Sequence, residues 1–452
     1  MSGQPKTEPV PVGSVADLVE FARAGEKPRA AWRVGTEHEK IGVQRESLRP
    51  VPYAGENGIA GVLAAVAAET GWREVREGGA LIALEGDGAS ITLEPGGQLE
   101  LSGAPLRTIF ETCEEFHRHL DVIRRVSEPR GLVWIALGAN PFHDVEEMPR
   151  VPKARYAVMR RYLPTKGELA MHMMHLSATV QANFDYASEA DMAAKLRTAM
   201  GVSPLVSALF ANSALYLGKP SGFITRRVHI WRHVDPDRCG MLPFVFEPGL
   251  DYEKYVQWAL DVPMFFVLHE GEYRQVQGLT FRRYLAEGHE GKRATLQDWN
   301  LHLTTLFPEV RLKQFLEVRG ADAVPPELTC ALPALWKGIL YDDGARDAAW
   351  RLVADWSFAE REAALEAVAR RGLSARVAGR PVLPLARELV EIARAGLARI
   401  GDGRGGETDE RGFLDPLAAV AERGRSPGEE VLTLWEGAWR GSPERLIEYA
   451  RY

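Results

Sequence analysis

Residues 90–103 read Ser-Ile-Thr-Leu-Glu-Pro-Gly-Gly-Gln-Leu-Glu-Leu-Ser-Gly, two alternating runs about a Pro-Gly-Gly reversal. Period-two alternation with β-branched residues predicts strands, and the reversal predicts a hairpin. Ile91 and Leu93 point one way, and Thr92 and Glu94 the other. Past the turn, Gln98, Glu100 and Ser102 share a face opposite Leu99 and Leu101. Each strand thus has an apolar face for a core and a polar, acidic face. Antiparallel sheets commonly leave one face in water, so the acidic face of a lone hairpin could simply be solvated.

Two further segments argue against that plain reading. Residues 33–43 place Glu37 and Glu39 on one face of an extended run. Residues 310–320, read as a third strand, place Glu317 and Arg319 on one face. Carboxylates gathered on one face repel unless cations neutralise them. Oxygen-only ligands suit Mg²⁺, or Mn²⁺, and magnesium prefers a few carboxylates plus substrate phosphates. The pattern points to nucleotide chemistry.

The rest of the chain narrows the class. A net charge of -7 with no dominant basic stripe excludes a dedicated nucleic-acid binder. No run of about twenty apolar residues predicts a membrane span. Cys113, Cys239 and Cys330 are too few for a secreted disulfide framework. The first residues lack the apolar core of a signal peptide, which makes the cytoplasm the default location. Residues 1–13 read as a flexible tail, and 14–452 as a single α+β domain, since the acidic strands lie far apart and one fold must assemble them. Helices are expected over 108–126, 149–162, 188–200, 204–214 and 251–261, a strand over 177–185, and an almost wholly helical chain after Pro325. A Gly-rich charged loop is expected over 401–412.

No phosphate loop, dinucleotide fingerprint or nucleophile elbow is present, so bound ATP must be held through metal and arginine. Arg155, Arg160, Arg227 and Arg319 sit among apolar or aromatic neighbours, and bidentate guanidinium suits an amino-acid carboxylate or a phosphate. Arg227 and Arg319 are the stronger candidates. Gln181, on the alternating 177–185 strand, is a weaker one. His172 and His175 lie one helical turn apart beside methionines and read as packed or surface residues, as does His38.

Several motifs resemble glutamate–cysteine ligases of the plant and proteobacterial type. These are Val-Gly-Thr-Glu-His-Glu-Lys-Ile-Gly (34–42), Ile-Thr-Leu-Glu-Pro-Gly-Gly-Gln-Leu-Glu-Leu-Ser-Gly-Ala-Pro-Leu (91–106), Arg-Val-His-Ile-Trp (227–231) and Glu-Val-Arg-Gly-Ala-Asp (317–322). Further likeness lies in 208–213, 240–246, 259–264, 304–313 and 448–452, so it spans nearly everything from Ser14 onward.

The resemblance implies a glutamine-synthetase-like catalytic fold, a curved antiparallel sheet with helices packed outside. It implies ATP-dependent joining of the L-glutamate γ-carboxyl to the L-cysteine amine through a γ-glutamyl phosphate, the first step of glutathione biosynthesis. Glu37, Glu39, Glu94, Glu100 and Glu317 would hold Mg²⁺, Arg155 and Arg227 would bind substrate carboxylates, and Glu317 with Arg319 would form a metal-and-phosphate pair. Partners would be L-glutamate, L-cysteine and ATP, with no nucleic acid or membrane, in a monomer or homodimer. Three departures from the plant pattern stand out. No chloroplast transit peptide is visible, which favours a cytoplasmic enzyme. His172 and His175 occupy a segment where plant members carry neither. One of the two plant cysteine pairs is absent, while Cys113 and Cys330 match the other. A ligase of the same fold using another amine, a metabolite sensor that kept the fold, and a magnesium-dependent hydrolase are the rival readings.

Overall fold

A computed structural model describes residues 10–269, 272–402 and 409–452. The alternation about Pro95 is realised as two strands. β4 (Ala89–Leu93) and β5 (Leu99–Ser102) pair antiparallel with Ile91 opposite Leu101, Thr92 opposite Glu100 and Leu93 opposite Leu99. Ile91, Leu93, Leu99 and Leu101 are all buried in one apolar cluster beneath the hairpin. At roughly 1.5–3 kcal/mol per buried large aliphatic, this face fixes the register, because a one-residue slip would turn all four into the cleft. The reversal itself is tight. Glu94 N–H donates to Gln98 O at 2.9 Å, and Gly97 takes φ +83°, where a side chain is strained. Gly96 is needed for a different reason: a Cβ there would come within 2.2 Å of the His175 carbonyl oxygen.

The hairpin belongs to a nine-stranded antiparallel sheet. With β1 (Val34–Gln44), β2 (Arg73–Glu77), β3 (Ala80–Gly86), β6 (Leu132–Ile135) and β7 (Thr179–Phe184), its order runs from strand Val310–Leu312 through strand Leu316–Asp322, β7, β1, β5, β4 and β3 to β2, and β6 pairs the far end of β1. Helices Glu189–Leu209, Ala331–Leu340 and Ile109–Ser127 pack on its far face. The near face carries the polar residues of every central strand.

The structure departs from the sequence reading in three places. Helices expected over 188–200 and 204–214 are one helix, Glu189–Leu209, running straight through Pro204. Every residue from Thr198 to Leu209 is buried, so packing outweighs the lost backbone bond and the steric cost of an internal proline. The segment 310–320 is a hairpin and not one strand. Arg311 faces Glu317 across it, and the reversal over Lys313–Phe315 closes through Lys313 N–H to Phe315 O at 2.9 Å. No Gly, Pro, Asn or Asp marks that turn, so the usual reversal signals are missing. Residues 10–12 of the expected tail pair with 294–296, and Val12 is buried; residues 1–9 lie outside the described residues. So does half of the Gly-rich loop expected over 401–412, of which 403–408 are not described.

Candidate active site

The polar face of the sheet floors a cleft of about 820 Å³, open to solvent. Register explains how residues far apart in sequence converge there. β1 pairs with β5 so that Glu37 faces Ser102 and Glu39 faces Glu100, and on its other side Glu37 faces Gln181 of β7. Glu94 enters from the end of β4. One carboxylate oxygen each of Glu39, Glu94 and Glu100 lies within 4.8 Å of the others. Burial raises Glu39 well above the usual carboxylate range, Glu94 and Glu100 push it further up, and Arg227 and Arg319 pull the other way. Burial also raises Glu100, with Glu94 adding to it, while Ser102 Oγ–H, donating at 2.5 Å, opposes. Two carboxyls raised by burial and by their acidic neighbours, beside a third, form a set of hard oxygen donors. That is the chemistry a Mg²⁺ or Mn²⁺ ion satisfies.

Opposite the carboxylates stand cations. Lys153 Nζ and Tyr156 Oη both donate to Leu93 O, each at 2.8 Å, and bolt helix Ala154–Tyr162 to the end of β4. That contact sets Arg155 on the cleft wall. Arg227 lies on the short helix Arg226–Trp231, which Asp322 ties to the sheet. The Asp322 carboxylate accepts from Asn212 N–H and Ser213 Oγ–H at 2.7 Å and from Thr225 Oγ–H at 2.9 Å. A register shift between Val318 and Ala321 interrupts the strand at Arg319, and such bulges re-aim side chains. Arg319 thereby donates to Gln181 Oε1 at 2.8 Å, and its carbonyl accepts from Arg227 Nη2 at 3.0 Å. Arg155 Nε, Arg227 Nε and Trp231 Nε1 are buried donors without a partner among the described residues. Unpaired buried donors are costly, and three of them on residues that line one cleft suit an anion.

The structure brings Glu37, Glu39, Glu94, Glu100, Arg155, Gln181, Arg227 and Arg319 to the cleft lining. It corrects the place of Glu317. That carboxylate is fully buried and does not line the cleft. It accepts from Arg311 Nη2 at 2.7 and 2.8 Å and from Lys313 Nζ at 2.9 Å, and it contacts Arg319 Nη1 as well. Burial raises its pKa, but Arg311, Lys313 and Arg319 outweigh that and hold it well below the usual range. A carboxylate already serving three cations is not placed to take a metal ion; it positions Arg311 and Arg319. Glu37 also stands apart from the carboxylate trio, with its Oε1 accepting from Asn183 Nδ2 at 3.1 Å.

Arg311, Trp231 and Tyr156 line the cleft too, and the sequence reading missed them. Period-two spacing across the unrecognised 313–315 reversal would have put Arg311 opposite Glu317. His172 and His175 stay outside the cleft lining, as expected. The His175 backbone instead packs against Gly96, and burial lowers its imidazole to about 4, helped by Arg160 and Arg150.

A family model described as glutamate–cysteine ligase family 2 matches residues 33–449. The chain belongs to that family. Chloroplastic glutamate–cysteine ligase of Medicago truncatula is 42% identical over 449 residues, covering 99% of this chain and 86% of that protein. The Arabidopsis thaliana enzyme is 42% identical over 439 residues, covering 96% and 82%. A crystal structure of the Francisella tularensis ligase in complex with AMP superposes with a TM-score of 0.55 at 11% identity, covering 93% of this chain and 87% of that one, a likeness of fold alone. The ligase therefore forms γ-glutamylcysteine from glutamate and cysteine with ATP as co-substrate. Its α+β architecture about a large antiparallel sheet is the expected one. The expected cytoplasmic location is overturned: these curated relatives are chloroplastic proteins by name. Among the described residues no helix is long and apolar enough to cross a membrane.

Proposed function

We propose that the cleft performs this ligation with the carboxylate trio and the arginine wall in separate roles. Glu39, Glu94 and Glu100 hold Mg²⁺, or Mn²⁺, which when bound supplies charge screening for the ATP phosphates. Arg155 and Arg227 bind the substrate carboxylates, each offering an unpaired Nε donor to a group that can accept two. Arg319, fixed by Gln181 and Glu317, faces the negative charge that develops on the transferred phosphoryl group.

The chemistry needs little else. A carboxylate resists attack by an amine. Transfer of the ATP γ-phosphoryl group to the glutamate γ-carboxylate gives a γ-glutamyl phosphate and ADP. The cysteine amine then adds to the acyl carbon, the C–O bond to phosphate breaks, and the ammonium proton is lost to give the amide. No side-chain nucleophile takes part, so the chain contributes alignment and charge compensation. The observation that carries this reading is the carboxylate trio lining one cleft with Arg155, Arg227 and Trp231, whose buried donors lack a partner among the described residues. The test is phosphate release from ATP with glutamate present, with and without cysteine and a panel of other amines. Release that needs both glutamate and cysteine supports the assignment. Equal release without glutamate indicates a hydrolase, and preference for another amine indicates a different ligase of the same fold.

A further inference from the structure

A second cluster of metal-binding side chains lies outside the cleft. Cys113 and Cys330 are joined as a disulfide with Cα atoms 5.6 Å apart. His117 lies one turn after Cys113 on helix Ile109–Ser127, so the two project from the same side of that helix. The ligand atoms of Cys113, His117 and Cys330 lie within 4.8 Å of one another. Cys113 is partly exposed and His117 exposed, whereas Cys330 is buried where helix Ala331–Leu340 begins. Two sulfurs and an imidazole at this spacing are the donor set of a zinc-type site, and Cys and His four apart on one helix are a common half of such sites. In the oxidised chain the sulfurs are bonded to each other and are not metal ligands.

We propose that reduction of the Cys113–Cys330 disulfide opens a site for a soft divalent cation of the zinc class, held by Cys113, Cys330 and His117. A thiol reductant supplies the two electrons: the S–S bond breaks, two protein thiols form, and two reductant thiols become a disulfide. Binding of the cation then displaces one proton from each thiol and uses neutral His117, leaving a fourth position for water. With Zn–S near 2.3 Å the sulfurs part by under about 2 Å from their bonded distance, a shift that rotation about the side-chain bonds supplies. The metal-filled site ties the helix after the central hairpin to the C-terminal helices, the same segments the disulfide ties. Oxidation and metal loading therefore exclude each other while serving one clamp. The site is separate from the oxygen-only trio, whose hard donors favour magnesium.

The test uses the full chain, reduced with a phosphine and desalted, and Co²⁺ as probe. Thiolate-bound cobalt gives a near-ultraviolet charge-transfer band and strong visible bands of a tetrahedral ion; cobalt on carboxylates gives neither. The expected result is one such cobalt per reduced chain, displaced by zinc, and none on the oxidised chain. Cys113→Ser abolishes the charge-transfer signal. His117→Ala, a surface change that leaves the fold intact, weakens cobalt binding at least about tenfold, since even indirect partners of a metal are worth that much. Absence of the band in reduced wild-type protein overturns the proposal. So does an unchanged cobalt affinity in His117→Ala, or a band that survives in Cys113→Ser through Cys239.

Discussion

Glu317 is the residue whose role the structure changes most. Its carboxylate balances Arg311, Lys313 and Arg319 in the buried floor beneath the cleft. Glu317→Gln leaves the buried Arg311 and Lys313 and the partly buried Arg319 with one neutral acceptor. Breaking a buried ion pair costs about 3–5 kcal/mol, so denaturant unfolding should show a loss of that order. Turnover should also fall at least ~10²-fold, because Arg319 is released from its place. Wild-type stability in this variant would show that the cations do not depend on Glu317. Arg227 makes the complementary case. Its Nε is buried and unpaired, so Arg227→Ala removes a donor reserved for substrate. A charge-assisted contact is worth roughly 1.5–3 kcal/mol, and the expected outcome is a Michaelis constant for glutamate or cysteine raised by that amount, with a smaller change in turnover. Unchanged constants for both substrates would contradict the carboxylate-binding role.

At the scale of elements, the facing of β1 on β5 places Glu39 directly opposite Glu100. Both carboxyls are raised by burial and by neighbouring carboxylates. The folded state therefore keeps protons that the unfolded chain loses above its ordinary carboxylate pKa. Metal-free stability contributed by these two groups is full below that value and is lost as pH rises through their folded values. Magnesium should bind more tightly as pH rises through the same window and release protons, which calorimetry in buffers of different ionisation enthalpy would measure. Glu100→Gln should stabilise the metal-free protein by up to ~1 kcal/mol, by relieving a cross-strand repulsion, and abolish the stabilisation by magnesium. Destabilisation instead would show that the carboxylate is satisfied without a cation. The same elements show what a sequence can and cannot reveal. The β4–β5 hairpin was legible because alternation, the Pro-Gly-Gly turn and four aliphatics agree. The 310–320 hairpin was not, because Lys-Gln-Phe carries no turn signal and Arg311 looked like one more surface arginine. Pro204 misled in the opposite direction, since a fully buried helix overrides the local penalty.

At the scale of the molecule, the cleft depends on contacts that no local pattern reveals. Asp322 fastening helix Arg226–Trp231 and Leu93 O anchoring helix Ala154–Tyr162 are long-range pairings that motif likeness could imply only as a set. The Cys113–Cys330 disulfide joins the helix after the central hairpin to the C-terminal helices across 217 residues. Closing so long a loop adds about 5 kcal/mol in the chain-entropy model. Reduction should lower the unfolding midpoint accordingly, and a Cys113→Ser variant should show the same midpoint with and without reductant. An equal midpoint for oxidised and reduced wild-type protein would mean that the bond constrains nothing. The central claim is that Glu39, Glu94 and Glu100 on the hairpin face gather the cation that lets this sheet ligate glutamate to cysteine. Glu94→Gln tests it most directly, because Glu94 sits at the cleft edge and its loss leaves the buried floor intact. The measurement is γ-glutamylcysteine formation against magnesium concentration in wild type and variant. The account predicts a magnesium requirement shifted at least about tenfold upward in the variant with folding unchanged; an identical magnesium dependence in the two proteins would contradict it.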